Sequence, residues 1–168
     1  GQERASAYFA RSGRLPTPDF VEIEGAWTAH DQAVVKNALA HLVCELHHAF
    51  EEAGVSLDGK RVLFIGSGGA VRAVAFAVAE LTRAESITII GRTPQRVAAI
   101  AEDVASRTAM PVTAADLAAD LAGAVAASHI LIQGTPIGMY PNPGGTPVPR
   151  ALLKPHHVCF DMVYRPNT

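Results

Sequence analysis

Residues 60–96 read KRVLFIGSGGAVRAVAFAVAELTRAESITIIGRTPQR, and the fold is legible from this stretch outward. Arg61 to Ile65 is a short apolar run without alternation, the pattern of a strand covered on both faces of a parallel sheet. Gly66-Ser67-Gly68-Gly69-Ala70 follows at once, and Val71 to Leu81 is apolar at helical spacing. Ser86 to Ile90 supplies a second strand, and the chain then turns through Gly91-Arg92-Thr93-Pro94-Gln95-Arg96. Strand, glycine turn, helix and strand make one βαβ unit.

A strand that ends in glycines and opens a helix presents bare backbone N–H groups, and the positive end of the helix dipole points the same way. Gly66 permits the tight turn and Gly68 lets a pyrophosphate approach the backbone. Gly66, Ser67, Gly68, Gly69 and Ala70 are therefore the candidate dinucleotide-binding turn. The alternative is a glycine turn that only packs helix on strand. Val71 stands where a third small residue is usual, but the strand–turn–helix context favours the dinucleotide. The end of the second strand selects which one. An NAD site usually has Asp or Glu there for the ribose 2′-hydroxyl; here stand Arg92, Thr93 and Arg96, whose guanidiniums and hydroxyl suit a 2′-phosphate. The alternative, two solvated arginines, puts cations at a helix start that disfavours them. The cofactor expected from these residues is NADP(H).

At 168 residues the chain is long enough for one domain with a full core, and 49% hydrophobic against 18% charged residues is a globular composition. A formal charge of −2 gives no general attraction to nucleic acid or an anionic membrane. Cys44 and Cys159 form no CxxC pattern and read as free thiols in a reducing cytoplasm. No apolar run approaches the roughly 20 residues of a membrane span. No metal site is expected: Cys44 and His48 share a helix face, but no third ligand follows at a matching spacing.

Residues 1–30 read as a linker-like segment and 31–168 as the nucleotide-binding domain. Asp31 to Ala53 predicts a long helix closed by Gly54. A helix from Thr93 to Ser106 starts on Pro94 with Thr93 as its cap. Met110 to Thr113 predicts a short strand, and Thr113 then caps a helix from Ala114 to about Leu121. His129 to Ile132 is a compact strand, and a Gly- and Pro-rich loop runs from Gln133 to Pro149. A helical turn near Pro149 to Leu153 leads to a last strand, His157 to Val163. This alternation predicts a doubly wound, Rossmann-like parallel sheet with helices on both faces, a three-layer α/β/α architecture.

Four segments occur in a telling order: Gly66-Ser-Gly-Gly-Ala-Val-Arg-Ala73, Gly91-Arg-Thr93 with Arg96, Gly134-Thr-Pro-Ile-Gly-Met139, and Phe160-Asp-Met-Val-Tyr-Arg-Pro166. Together they resemble the NADP-binding half of the shikimate dehydrogenase family. That family includes its quinate-oxidising relatives and the fused 3-dehydroquinate dehydratase–shikimate dehydrogenase enzymes. The resemblance implies reduction of 3-dehydroshikimate to shikimate with NADPH, a step of aromatic amino-acid biosynthesis. It also implies that Thr135 and Pro136 line the cofactor, that Met162 lies by the nicotinamide, and that Tyr164 faces the substrate. Asp31 would match the family's catalytic aspartate, although Asp also suits a helix N-cap.

The chain departs from the family at Gly91, where Asn is usual, and at Gln133-Gly134, where Asn-Ala is usual. The family's substrate domain, which carries its catalytic lysine, is not matched, nor is its closing helix. The resemblance therefore implies a cofactor domain whose small-molecule substrate is shared with a missing domain, and which alone binds NADP(H) but turns shikimate over poorly. The competing expectations are another NADP-dependent reductase with this domain, or a nucleotide-binding regulatory module without catalysis.

Overall fold

The computed structural model describes residues 48–139 and 144–162. Asp31 and Tyr164, and all but the last turn of the helix expected to start at Asp31, lie outside them. Within the described residues, five strands alternate with three helices: β1 (Arg61–Ile65), α1 (Gly69–Leu81), β2 (Ser86–Gly91), α2 (Pro94–Arg107), β3 (Val112–Asp116), α3 (Leu117–Ala127), β4 (Ile130–Gln133) and β5 (Val158–Asp161). A single 3₁₀ turn, Arg150–Leu152, precedes β5. All pairings are parallel, in the order β3-β2-β1-β4-β5. The chain thus winds outward from β1 to β3, then returns across β1 to build the other half. The strand order reverses between β1 and β4, and the crevice above that reversal is where open α/β sheets bind ligands.

The absence of alternation in β1 has its cause in the layers. Val62 and Phe64 join Val71, Val74 and Val78 of α1 and Val97, Ile100 and Val104 of α2 in one core. Leu63 and Ile65 face the other way and meet Val125 of α3, Leu131 and Val148. Each face of the strand is covered from Val62 to Ile65, so those four positions are apolar. At the near end, residues 48–52 finish a helix on Gly54 at φ +64°. Val55 N–H donates to Phe50 O at 2.8 Å and Gly54 N–H to Glu51 O at 3.0 Å, which closes the helix in a Schellman motif.

The elements after α2 differ from the sequence expectation, and the helix expected to end at about Leu121 runs to Ala127. The expected strand Met110 to Thr113 is instead Val112–Asp116, and the expected helix from Ala114 starts at Leu117. Ala114 and Ala115 favour helix intrinsically, but they pair with Ile89 and Ile90 of β2, and tertiary pairing outweighs propensity. The cap is consequently Asp116, not Thr113: its Oδ1 accepts from Ala118 N–H at 2.8 Å and Ala119 N–H at 3.0 Å. Thr93 does occupy the N-cap position of α2, but its side chain makes no capping bond.

At the sheet's amino edge two imidazoles act as acceptors. His129 Nδ1 accepts from Arg61 N–H, and His157 Nδ1 from Lys154 N–H, each at 3.1 Å. Partial desolvation first, then the charges of Arg61 and Lys60, hold His129 below its ordinary value of 6.5. Partial desolvation first, then His156 and Lys154, do the same to His157.

Asp116→Ala is expected to lower stability by about 1 kcal/mol, the usual cost of a lost cap, measured by urea unfolding. The histidines predict a pH dependence. Below pH 6.5 the unfolded chain binds protons that the folded one resists, so their contribution is present above 6.5 and is lost as pH falls through the depressed folded values. The urea midpoint should fall between neutral and mildly acidic pH, and the fall should shrink when both His129 and His157 are replaced by Asn.

Candidate functional site

The carboxyl ends of β1, β2 and β4 converge on a tight backbone crossing. Gly66 N–H donates to Ile90 O at 2.7 Å, and Gly134 N–H donates to Ile65 O at 2.9 Å, so both turns continue the ladders of the sheet. Gly66 adopts φ +124°, and a Cβ there would stand 2.9 Å from Gly134 O and 3.2 Å from Thr135 Cγ2. Only glycine satisfies both the conformation and the space. The turn after β1 therefore lies directly against the loop after β4, and Thr135, with Pro136 beside it in the chain, is brought to the glycine turn.

Beyond Gly66 the turn is open. Among the described residues, Gly68 and Gly69 have nothing within 4 Å of a Cβ position, and no side chain caps α1. The N–H groups of Gly69, Ala70 and Val71 have no acceptor among the described residues. Uncapped donors at a helix start in an open groove suit an anion. The groove has a volume of about 640 Å³ and is lined by Ser67, Gly68, Gly69, Arg72, Arg96 and Asp103 among others.

The basic turn stands one strand away. Arg92 and Arg96 are exposed, and neither guanidinium has a hydrogen-bond or ion-pair partner among the described residues. The Thr93 hydroxyl is likewise unpartnered among them. Arg96 lines the groove; Arg92 and Thr93 do not. Gly91, where the resemblance leads one to expect Asn, has a packing reason: a Cβ there would lie 2.9 Å from Val97 Cγ2.

Arg72 was missed by sequence reasoning. It lies one helical turn after Gly68 on α1, and that spacing is the signal that could have found it. Its Nε donates to Asp103 Oδ2 at 2.8 Å, and its Nη2 bonds the same oxygen. Arg107 Nε lies 2.8 Å from Asp103 Oδ1. Both guanidiniums sit over Phe76, at 5.7 and 5.9 Å from the ring centroid. Two cations thus neutralise a carboxylate that would otherwise repel a phosphate in the groove.

Gly134 explains a second oddity. A Cβ on it would stand 2.4 Å from Val71 Cγ2 and 2.4 Å from Met162 Cε. Val71, large where a small residue is usual, therefore occupies the space that Gly134 vacates. Met162 follows β5, its N–H donating to Gln133 O at 3.0 Å, with its side chain packed on the same spot. The structure thus gathers Gly66, Ser67, Gly68, Gly69, Ala70, Arg92, Thr93, Arg96, Thr135, Pro136 and Met162 at one end of the sheet. Asp31 and Tyr164 lie outside the described residues. No group of three metal-ligating side chains occurs among the described residues, and no helix among them is long and apolar enough to cross a membrane.

Residues 47–137 match the family model described as Shikimate / quinate 5-dehydrogenase, which is more than half of the chain. The chain belongs to the shikimate/quinate 5-dehydrogenase family. A shikimate dehydrogenase (NADP(+)) of Methanothermobacter thermautotrophicus is 39% identical over 120 residues, covering 71% of this chain and 41% of the relative. Among solved structures, the Listeria monocytogenes shikimate 5-dehydrogenase in complex with shikimate and NAD superposes with a TM-score of 0.68 at 29% identity. The match covers 75% of this chain and 45% of that one. The Corynebacterium glutamicum quinate dehydrogenase in complex with NAD gives a TM-score of 0.64 at 26% identity, covering 74% and 44%. The chain thus spans less than half the length of these family members.

The Val71–Gly134 fit predicts a coupled pair. Gly134→Ala should cost about 1–3 kcal/mol by overpacking, because Val71 Cγ2, unlike the mobile end of Met162, cannot swing aside. In a Val71→Ala background the same replacement should cost at least about 1 kcal/mol less, read from urea unfolding of the four members of the cycle.

Proposed function

We propose that this chain is the NADP(H)-binding domain of a shikimate dehydrogenase-type oxidoreductase, which interconverts 3-dehydroshikimate and shikimate. The observation that carries the reading is a pair of arginines without partners among the described residues, Arg92 and Arg96, one strand away from an uncapped glycine turn. The turn from Gly66 to Ala70 holds the pyrophosphate through its free N–H groups, and Arg92, Thr93 and Arg96 hold the 2′-phosphate as a fork of donors. The groove beside Gly68 and Gly69, which a side chain at either position would narrow, leaves room for such a group. Family relatives named for NADP(+) support the same choice.

NADP(H), when bound, gives or takes the hydride at the C3 carbon of the substrate. The chain's own residues position it. Thr135 and Pro136 would line the cofactor where the loop after β4 meets the glycine turn, and Met162 would lie by the nicotinamide. Reduction also requires a proton on the carbonyl oxygen as negative charge develops there. This reading gives that task to Asp31 together with groups of a substrate domain, and gives Tyr164 a place against the substrate. The family members' greater length leaves room for such a domain. Residues 31–168 are the NADP-binding unit in this assignment, and its setting is the cytoplasm, where Cys159, free and exposed, stays reduced.

The reading is tested by calorimetric titration of NADPH and NADH. Wild type should prefer NADPH. Arg92→Ala and Arg96→Ala should each weaken NADPH by about 1–3 kcal/mol and leave NADH nearly unchanged. Equal affinities for the two cofactors, unaltered by either substitution, would favour an NAD-dependent relative of the quinate type instead.

A further inference from the structure

Arg72 and Arg96 border one groove from its two walls, α1 and α2, and they stand in opposite states. The Arg96 guanidinium has no partner among the described residues. Arg72 is held by Asp103: its Nε donates to Oδ2 at 2.8 Å, and its Nη2 bonds the same oxygen. The hold turns the side chain away from the glycine turn. The Arg72 backbone N–H donates to Gly68 O at 3.1 Å. Its guanidinium, however, lies over Phe76, one turn further along α1, and on Asp103, two turns past Arg96 on α2.

The hold is of a kind that gives way. The Arg72 side chain is 51% exposed, and ion pairs at that exposure contribute little. Its departure would not strand Asp103, whose Oδ1 keeps Arg107 Nε at 2.8 Å. Arg107 has its own seat on Phe76, 5.9 Å from the ring centroid. A phosphate dianion offers the fork of a guanidinium two oxygens at once, whereas Asp103 offers Arg72 only Oδ2.

We propose that Arg72 is a third guanidinium for the 2′-phosphate of the dinucleotide, parked on Asp103 and released to the phosphate on binding. The inference deepens, and rests on, the reading that this site holds NADP(H). A 2′-phosphate seated at Arg96 faces the α1 wall from which Arg72 projects. Rotation of the Arg72 side chain about its own bonds makes the exchange, with α1 and α2 left in place. The phosphate gains a cation, and Asp103 stays paired with Arg107. Asp103 thereby tunes the affinity of the site, since each binding event must first break its bond to Arg72.

The test is calorimetric titration of NADPH and NADH, which differ only in the 2′-phosphate. Arg72→Ala alone is ambiguous, because it also unmasks the Asp103 charge. The deciding variant therefore combines Arg72→Ala with Asp103→Asn and removes both charges of the pair together. It is expected to weaken NADPH about tenfold, the worth of a bond to a charged group less that of the exposed pair given up. NADH should change less than about twofold, since it brings no phosphate to this wall. Asp103→Asn alone, which frees Arg72 in advance, should tighten NADPH by about threefold.

A pair that never opens gives the opposite result: its joint removal leaves NADPH affinity at the wild-type value, and that outcome overturns the proposal. Equal losses for NADPH and NADH would overturn it as well, by assigning Arg72 to the pyrophosphate or to the fold, as would weaker NADPH binding in Asp103→Asn. Should the combined variant not fold, Arg72→Gln with Asp103→Asn, whose side chains can still hydrogen-bond each other, decides by the same criteria. A wild-type chain without preference for NADPH over NADH would instead refute the NADP(H) reading itself.

Discussion

The structure turns on the approach of two backbone turns at the carboxyl end of the sheet. The bend after β1 and the loop after β4 meet so closely that Gly66 has Gly134 O 2.9 Å from where its Cβ would be. Side chains are excluded on both sides of that crossing, because a Cβ on Gly134 would collide with Val71 and Met162. Backbone amides are consequently the groups that face outward, and among the described residues no side chain caps α1 to satisfy them. A sheet whose strand order reverses here leaves a crevice at that very point. The uncapped amides at the start of α1 are thus a by-product of packing two turns where no side chain fits.

The charges around the crevice are sorted by whether they are already satisfied. Arg72 and Arg107 are both engaged with Asp103 and stacked on Phe76, which ties α1 to α2. Such partly exposed pairs add little to stability, yet they neutralise the Asp103 carboxylate in the lining of the groove. Arg92 and Arg96 are left unpartnered among the described residues at the end of β2 and the first turn of α2. The same residue type serves two purposes within one cleft, and only the neighbouring carboxylate distinguishes them.

The loop after β4 shows a different economy. An element rich in Gly and Pro has few ways to be held, since Pro lacks an N–H and Gly lacks a side chain. Over residues 133–137 the buried carboxamide of Gln133 closes the Thr135–Ile137 turn from the end of the strand. Burial makes those bonds hard to give up, because an unsatisfied amide in this place carries the full desolvation penalty. The loop is therefore set at the position where the resemblance to the family first placed a cofactor-lining threonine.

Local chemistry alone determined much of this protein. The apolar runs of β1 and β4, the glycine bend, the first turn of α2 at Pro94 and the basic turn at Arg92 are each written in a few consecutive residues. Their physics is short-ranged: strand burial, φ freedom, ring closure, charge. The end of β3 was not legible, because Ala114 and Ala115 obey their pairing with Ile89 and Ile90, not their own propensity for helix. Nor was the role of Arg72, whose partner Asp103 lies 31 residues away on another helix. The compatibility of Val71 with Gly134 was likewise invisible. Each depends on which atoms the fold brings within a few ångströms of one another, and that is a property of the packed chain, not of any segment of it.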